Sequence, residues 1–489
     1  MARHILLWSR LAGGAAENVV GPQGATTNGI NNVAGLPPQA ITIWDEEVMN
    51  PLQGYPSSVS VDQNRLIFSN FPSVPSAIVW SFIGLFTDLY PDPPNATLTP
   101  DNAIFELVPG KSQVLYVLPG TESSEFVFCD NAIYYIPISV TNPLKPGSVA
   151  FNLLSNDGCA AVQPRLTQDV MIYVNAGGNS MRAIISTGAF LRPFNTTELN
   201  EFQSHLFNNV IAIAAPRADT TFEERYIYVL NADGTLAVGK YNTELGQIKG
   251  IVGWTPFSGA GALQFISSQQ ADVFFTTAYS PNGISPVSVV EVLDDSQYLD
   301  CAIPVNSLPA PFFTGGKGPL FTFANGSVTL MDQVTRNMGT YFVDANGNII
   351  PQFNGGEDLT LASLVAGQPW TATLEPFAPD AQSGADVGQR MKMRQFSMFA
   401  AYVVNSSGFV IAGLFSSKQN QTTQPLSTIM NQHRVPAYEP SENQALAPTL
   451  RETVETHPPT GSSFNPRAAI IKDTPGPLMI CEVAIEVSI

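Results

Sequence analysis

Four carboxylates crowd into ten residues of the second half of the chain: Glu291, Asp294, Asp295 and Asp300. Such a group could supply the acid and base of glycoside hydrolysis or the oxygen ligands of a calcium ion. The ordered alternation of ligands along a calcium loop is absent, so the segment reads as a solvated turn between strands before it reads as a site. Four histidines, His4, His205, His433 and His457, stand in unrelated contexts without the spacing of a metal site. There is no Gly-x-Ser-x-Gly elbow for a hydrolase nucleophile. Gly315-Gly316-Lys317-Gly318 lacks the leading glycine of a phosphate-binding loop and the hydroxyl residue after its lysine, and reads as a turn. Cys129, Cys159, Cys301 and Cys481 lie far apart, which fits buried free thiols rather than a zinc site or a disulfide framework. Alternation puts Arg390, Lys392 and Arg394 on one face of a strand, a small basic patch suited to acidic neighbours on a sister subunit. No catalytic, cofactor-binding or metal-ligating residue is assigned, and no cofactor is expected.

The elements that would carry these residues are strands. Of 489 residues, 44% are hydrophobic and only 13% charged, with 38 Gly and 39 Pro spread along the whole length. Disorder needs more charge, and a helical bundle needs 3.6-residue periodicity. From Trp44 to about Ala278, short runs of Val, Ile, Phe and Tyr alternate with Gly, Pro, Asn or Asp turns, as at Arg65 to Phe68, Gln113 to Leu118, Glu125 to Phe128, Val170 to Val174 and Tyr226 to Leu230. Strands of this length and spacing fit a sandwich, a barrel or propeller blades, and no clean internal repeat chooses among them. Asp233-Gly234 between two apolar runs predicts a tight hairpin, and Asn346-Gly347 a second one. One helix is expected from Asn195 to about Asn208, with an N-cap at Asn195, Glu198 three positions on, and Leu199, Phe202 and Leu206 on one face. Residues 416–463 read as a long polar loop, and Leu478 to Ile489 as a final strand.

The formal net charge is −18, from 40 acidic and 22 basic residues. A surface this acidic repels polyphosphate on average and argues against tight nucleic-acid binding, although a tube that lets DNA slide should not hold its phosphates either. No secretion signal is read, and no segment approaches the roughly 20 apolar residues of a membrane span.

A succession of short motifs resembles the tail nozzle proteins (tail tubular protein B type) of short-tailed, podovirus-type bacteriophages. It begins with Trp44-Asp45-Glu46-Glu47, Gly54-Tyr55-Pro56, Asn64-Arg65-Leu66-Ile67-Phe68 and Trp80-Ser81. Asp101 to Glu106, Val117-Leu118-Pro119-Gly120 and Glu125-Phe126-Val127 come next. His205-Leu206-Phe207, the Asp233-Gly234 hairpin with Gly253-Trp254, Leu299 to Ala302, Val365 to Pro376 and Asp473 to Leu478 complete the order. Each motif is weak alone, but the series runs from about residue 44 to the end of the chain. Two departures stand out: only about 50 residues precede the Gly-Tyr-Pro segment, which implies a missing or reduced tip domain, and Gly239 and Lys240 replace the aromatic or basic residues expected beside the hairpin.

The resemblance implies a mainly β fold of propeller-like blades plus β-sandwich or barrel-like domains, with very few helices. The Gly, Asn, Ala and Pro-rich residues 1–43 read as an extended N-terminal arm, and the resemblance divides the rest into a propeller-like domain (44–289), a sandwich or barrel-like domain (290–378) and a C-terminal β region with the polar loop (379–489). The implied role is structural rather than enzymatic: a homohexameric nozzle that forms the distal DNA conduit of the virion tail, assembled in the host cytoplasm. Its implied partners are the tail adaptor ring above, tail fibres or spikes, a tip or needle protein, the host cell surface, and double-stranded DNA passing through the lumen without tight binding. Two other readings stand beside it: a virion-associated receptor- or glycan-binding protein using aromatics of the 416–463 stretch, and a glycan-degrading enzyme using Glu291, Asp294, Asp295 or Asp300.

Overall fold

The computed structural model describes residues 4–6, 45–89, 97–304, 321–350, 364–376, 395–414, 429–435, 450–456 and 467–488, except 48, 52, 122, 140–142, 168–169, 190–191, 218–224, 245–246, 284, 295–296, 334–337, 348 and 407. Among the described residues the protein is nearly all strand; the helical elements are two 3-10 turns, Ser204–Leu206 and Phe321–Phe323. The chain divides into two compact units, Met1–Ser258 with Phe265–Phe274, and Gly259–Gln264 with Phe275–Ile489.

In the first unit four antiparallel sheets of four strands follow one another, each a meander in chain order like a propeller blade. The first runs Ser58–Asp62, Arg65–Ser69, Ala77–Trp80 and Ile104–Leu107; the second Val114–Pro119, Ser124–Cys129, Ile133–Pro137 and Asn152–Ser155. The third runs Arg165–Leu166, Met171–Val174, Met181–Ser186 and Phe194–Glu198; the fourth Val210–Ala214, Arg225–Asn231, Leu236–Glu244 and Gln247–Phe257. Side chains of a strand point alternately to its two faces. Val127 and Cys129 therefore pack with Ile78 and Trp80 of the first sheet, while Phe126 and Phe128 pack with Met171 and Tyr173 of the third. Ile172 and Val174, on the other face of that third sheet, meet Ile227, Val229 and Trp254 of the fourth. A sheet covered on both faces needs no polar side, which is why Ser124–Cys129 and Met171–Val174 are buried along their whole length and read as continuous apolar runs.

A three-stranded sheet, Ala262–Gln269, Asp272–Tyr279 and Val287–Val292, follows. The second unit then holds a five-stranded sheet in the order Asp300–Pro304, Leu364–Gln368, Ser327–Asp332, Met338–Val343 and Ile349–Ile350. Two further sheets close the chain: Ala372–Leu374, Arg467–Lys472, Phe409–Leu414 and Ile429–Val435, and Leu450–Thr456, Gln395–Ser406 and Met479–Ser488. Phe399 and Val403 from one of them and Phe409, Ile411 and Ile470 from the other share one core, so the pair forms a β-sandwich.

Both expected hairpins are present. At Asp233-Gly234 the loop is built on a turn in which the Gly234 N–H donates to the Asn231 carbonyl (3.0 Å) and only the glycine takes a positive φ, +83°. The Asp233 carboxylate accepts from both the amide (3.0 Å) and the hydroxyl (2.6 Å) of Thr235, and those bonds, the hydroxyl first, lower its pKa. Gly239 faces Trp254 across the same ladder, and a Cβ there would lie 2.7 Å from the indole ring. That ring is held by its Nε1–H to the Leu199 carbonyl (2.9 Å) and by edge-on contact with Phe207. No side chain fits between them, which explains the departure at this position. Gly239→Ala is expected to cost about 1–3 kcal/mol by overpacking, read as a lower urea midpoint with an unchanged m-value; an unshifted midpoint would show that the indole yields.

Three expectations are corrected. Asn195 to Asn208 is not a helix: Phe194–Glu198 is a strand paired with Met181–Ser186, and only Ser204–Leu206 makes a 3-10 turn. The Leu199, Phe202, Leu206 stripe is not one buried face, since Phe202 is 90% exposed, and the β-branched Thr196-Thr197 pair suits a strand. Residues 416–463 are not one loop, because they contain the strands Ile429–Val435 and Leu450–Thr456. Both strands lie at sheet edges, where polar and charged residues are at home, so their composition imitated a loop. Of the four thiols, Cys129 and Cys159 are buried, but Cys301 is half-buried and Cys481 exposed.

Candidate functional site

The acidic segment singled out in the sequence lies in the second unit, and its described carboxylates are each engaged by different donors. Glu291 stands on Val287–Val292, beside Asp272–Tyr279. Its carboxylate accepts hydrogen bonds from the Tyr279 hydroxyl (2.6 Å) and the Thr277 hydroxyl, so both oxygens are engaged by the neighbouring strand. Asp300 opens the next strand, where Cys301 takes a φ of +51° and the register against Leu364–Gln368 slips, the mark of a β-bulge. The bulge leaves the Asp300 carboxylate accepting from the amides of Ala260 and Cys301, the latter at 3.0 Å. Burial raises the pKa of Asp300 against the opposing Ala260 N–H, and the like charge of Glu291 adds to the rise. Asp294 bonds Gln297 in a turn (3.5 Å), and Asp295 lies outside the described residues.

Chemically this is a brace between strands. Burial and the adjoining Cys301 and Glu291 push the Tyr279 phenol far above its ordinary range, so it stays a donor. Burial pushes the Cys301 thiol up to about 12, which leaves no thiolate near neutral pH. Among the described residues no group of three or more His, Cys, Asp or Glu side chains could hold a metal ion. His205 is exposed on its 3-10 turn and His433 lies on the edge strand Ile429–Val435. His457, Arg390, Lys392, Arg394 and Gly315 to Gly318 lie outside the described residues. No described helix is long and apolar enough to cross a membrane.

Sequence reasoning missed a buried polar cluster between the first two sheets. Glu125 is fully buried and accepts the Trp80 Nε1–H at 3.0 Å. No donor reaches its other oxygen, Oε1, and the carboxylate of Asp62 on the first sheet lies near enough to accept from it only when Glu125 carries a proton. Desolvation raises the Glu125 pKa to about 8, with the Asp62 charge adding to the rise and Trp80 and Arg65 opposing it. Near neutral pH the two carboxyl groups thus share one proton, donated by Glu125 to Asp62. Beside them Arg65 is 1% exposed and donates to the carbonyls of Ser81, Pro100 and Asn102, the last at 2.8 Å. A lone Glu inside the apolar run Ser124–Cys129 was the available signal, because a charge within a strand buried on both faces must find a partner.

No family model matches this chain, and no curated protein does. Solved structures with some likeness include Hsv2 of Kluyveromyces lactis, 10% identical with a TM-score of 0.27, covering 46% of this chain and 58% of that one. The β-propeller domain of Cps50 (Swd1) from Myceliophteria thermophila is 8% identical with a TM-score of 0.29, covering 49% of this chain and 72% of that domain. The extracellular domain of the putative hybrid two-component system BT3049 of B. thetaiotaomicron is also 8% identical, with a TM-score of 0.29, covering 90% of this chain and 50% of that one. Values this low say nothing of activity or partners.

Proposed function

We propose that this chain is a structural subunit of a short-tailed phage tail, six copies of which form the nozzle that retains and then passes the packaged genome. The ordered succession of motifs resembling the nozzle family carries the reading. It gains support from where those motifs fall: Arg65, Trp80, Glu125, the Asp233-Gly234 hairpin and Trp254 are packing and turn residues of successive sheets. Their types are set by the scaffold, as suits a protein whose product is its shape.

The charge fits the same role. Six copies multiply a net charge of −18, and a ring so acidic repels phosphate across its surface. Retention of DNA then comes from a steric gate, with the wall left slippery. The adaptor ring, fibres or spikes and a tip protein are its proposed partners, and the virion tail its place.

The purified chain, alone or mixed with the adaptor, is expected to give a hexameric mass and a ring with an axial hole in negative stain. The assembled ring should show no measurable affinity for duplex DNA at physiological ionic strength, and hence no steep fall of affinity with salt. A trimer would favour a receptor-binding spike instead. Salt-sensitive DNA binding by the ring would end the slippery-wall account.

A further inference from the structure

A cavity of about 270 Å³ opens within the first unit between residues of the second and third sheets, the segment after Val210–Ala214, and the Ala262–Gln269 strand with the residue after it. Liquid water takes about 30 Å³ per molecule, so the space admits a small solute with part of its hydration. Two arginines line it, Arg165 and Arg217, with Gln163, Gln270 and Ser268 as further polar groups and Leu118 and Met171 among its apolar ones.

Arg165 is oriented in advance. Its Nε–H donates to the Ile213 carbonyl at 3.2 Å, which fixes the plane of the guanidinium and leaves the two terminal NH2 groups as a fork. Burial lowers its pKa, so the charge is partly stripped of water and gains from an anion. Arg217 is tethered at its base, with its main-chain N–H bonded to the Gln270 carbonyl at 2.7 Å. Ser268 Oγ accepts the Ala215 N–H at 3.2 Å, so its own hydrogen remains to be donated. Among the described residues neither arginine forms an ion pair. In a chain with 40 acidic and 22 basic residues, two arginines lining one cavity with no carboxylate among its described lining residues are a departure from the average surface.

We infer that this cavity is a binding site for a small oxyanion, a phosphate or a dicarboxylate, gripped between the guanidinium groups of Arg165 and Arg217. The site stands apart from any role in a DNA conduit, and its failure would leave that role untouched. Calorimetric titration of the full chain with inorganic phosphate, and separately with succinate, at constant ionic strength set by chloride, tests it. Saturable one-site binding of at least one probe is expected, and the tighter of the two identifies the anion class. Arg217→Gln, at an exposed side chain whose main-chain tether survives the change, should weaken that binding at least tenfold. Arg165→Gln should abolish it, with circular dichroism and a melting curve showing that the fold is kept. Absence of saturable binding by both probes, or binding unchanged in Arg217→Gln, overturns the assignment.

Discussion

Replacing Arg65 by Met is expected to destabilise the first unit by roughly 3–5 kcal/mol, the cost of stripping hydrogen bonds from buried acceptors. Met keeps much of the aliphatic stem, so the loss is that of the guanidinium rather than of packing. That guanidinium donates to the carbonyls of Ser81, just past Ala77–Trp80, and of Pro100 and Asn102, in the turn that leads into Ile104–Leu107. Ser81 is fully buried, so its carbonyl loses a donor with no water to replace it, whereas Pro100 is exposed and can be rehydrated. The balance puts the cost above that of a single lost bond and below three. Lys at this position supplies a point charge in place of the planar fork and should recover only part of the loss. Urea titration followed by tryptophan fluorescence reads both variants, because Trp80 lies in the same cluster. A cost under about 1 kcal/mol, the worth of one ordinary hydrogen bond, would mean that the three carbonyls have other donors.

Arg65 also shows what the sequence could and could not convey. Its strand was legible from the apolar run after Asn64, and the type I′ turn before it follows from Gln63 and Asn64 at φ +47° and +58°, a conformation asparagine tolerates. That a charged residue at the start of that strand is among the most buried side chains of the molecule was not legible, because its partners are backbone carbonyls up to 37 residues away. Paired carbonyls leave no mark in residue type. The Asp233-Gly234 and Asn346-Gly347 hairpins were legible for the opposite reason, since a turn is a local event decided by its own residues.

The helix expected at Asn195 failed where local signals were overruled. Asn195 does use its side chain on the next amide, Thr196 N–H to Oδ1 at 2.9 Å, much as a capping residue would. The edge of the third sheet offered a ladder of five residue pairs to the same segment, and the ladder prevailed. The candidate site failed differently. Glu291, Asp294 and Asp300 are near in sequence, yet strand geometry sends the Glu291 carboxylate to Tyr279 and Thr277 and that of Asp300 to the amides at Ala260 and Cys301. Glu291 and Asp300 still feel each other's charge, but each carboxylate is already occupied by hydrogen-bond donors of its neighbours. The polar groups that do converge, Asp62 with Glu125 and Arg165 with Arg217, come from separate segments of the chain.

Stability of the first unit is expected to fall as pH rises from about 5 to about 8, and Glu125→Gln is expected to abolish most of that fall. The sign follows from the direction of the shift. Glu125 has an ordinary value of 4.5 and is raised to about 8 in the folded chain, so between those limits the folded state holds a proton that the unfolded state has released. Unfolding then gives up a proton, and each unit of pH lowers the unfolding free energy by about 1.4 kcal/mol, on the order of 4 kcal/mol across the window. Above pH 8 the slope vanishes, because both states are ionised. Gln keeps an acceptor for the Trp80 Nε1–H and an N–H for Asp62 without a proton to lose, so the variant should overtake the parent chain at alkaline pH. Asp62, raised by burial as well, keeps a slope of the same sign at lower pH in both proteins. Arg65 is the nearby cation that opposes the rise at Glu125, so Arg65→Met should extend the window upward. Urea midpoints taken from pH 5 to pH 9 on parent and variant isolate the effect, since every other titrating group of this acidic chain is common to both. Parallel curves would mean that Glu125 is ionised in the folded protein and that Asp62 is not its proton acceptor.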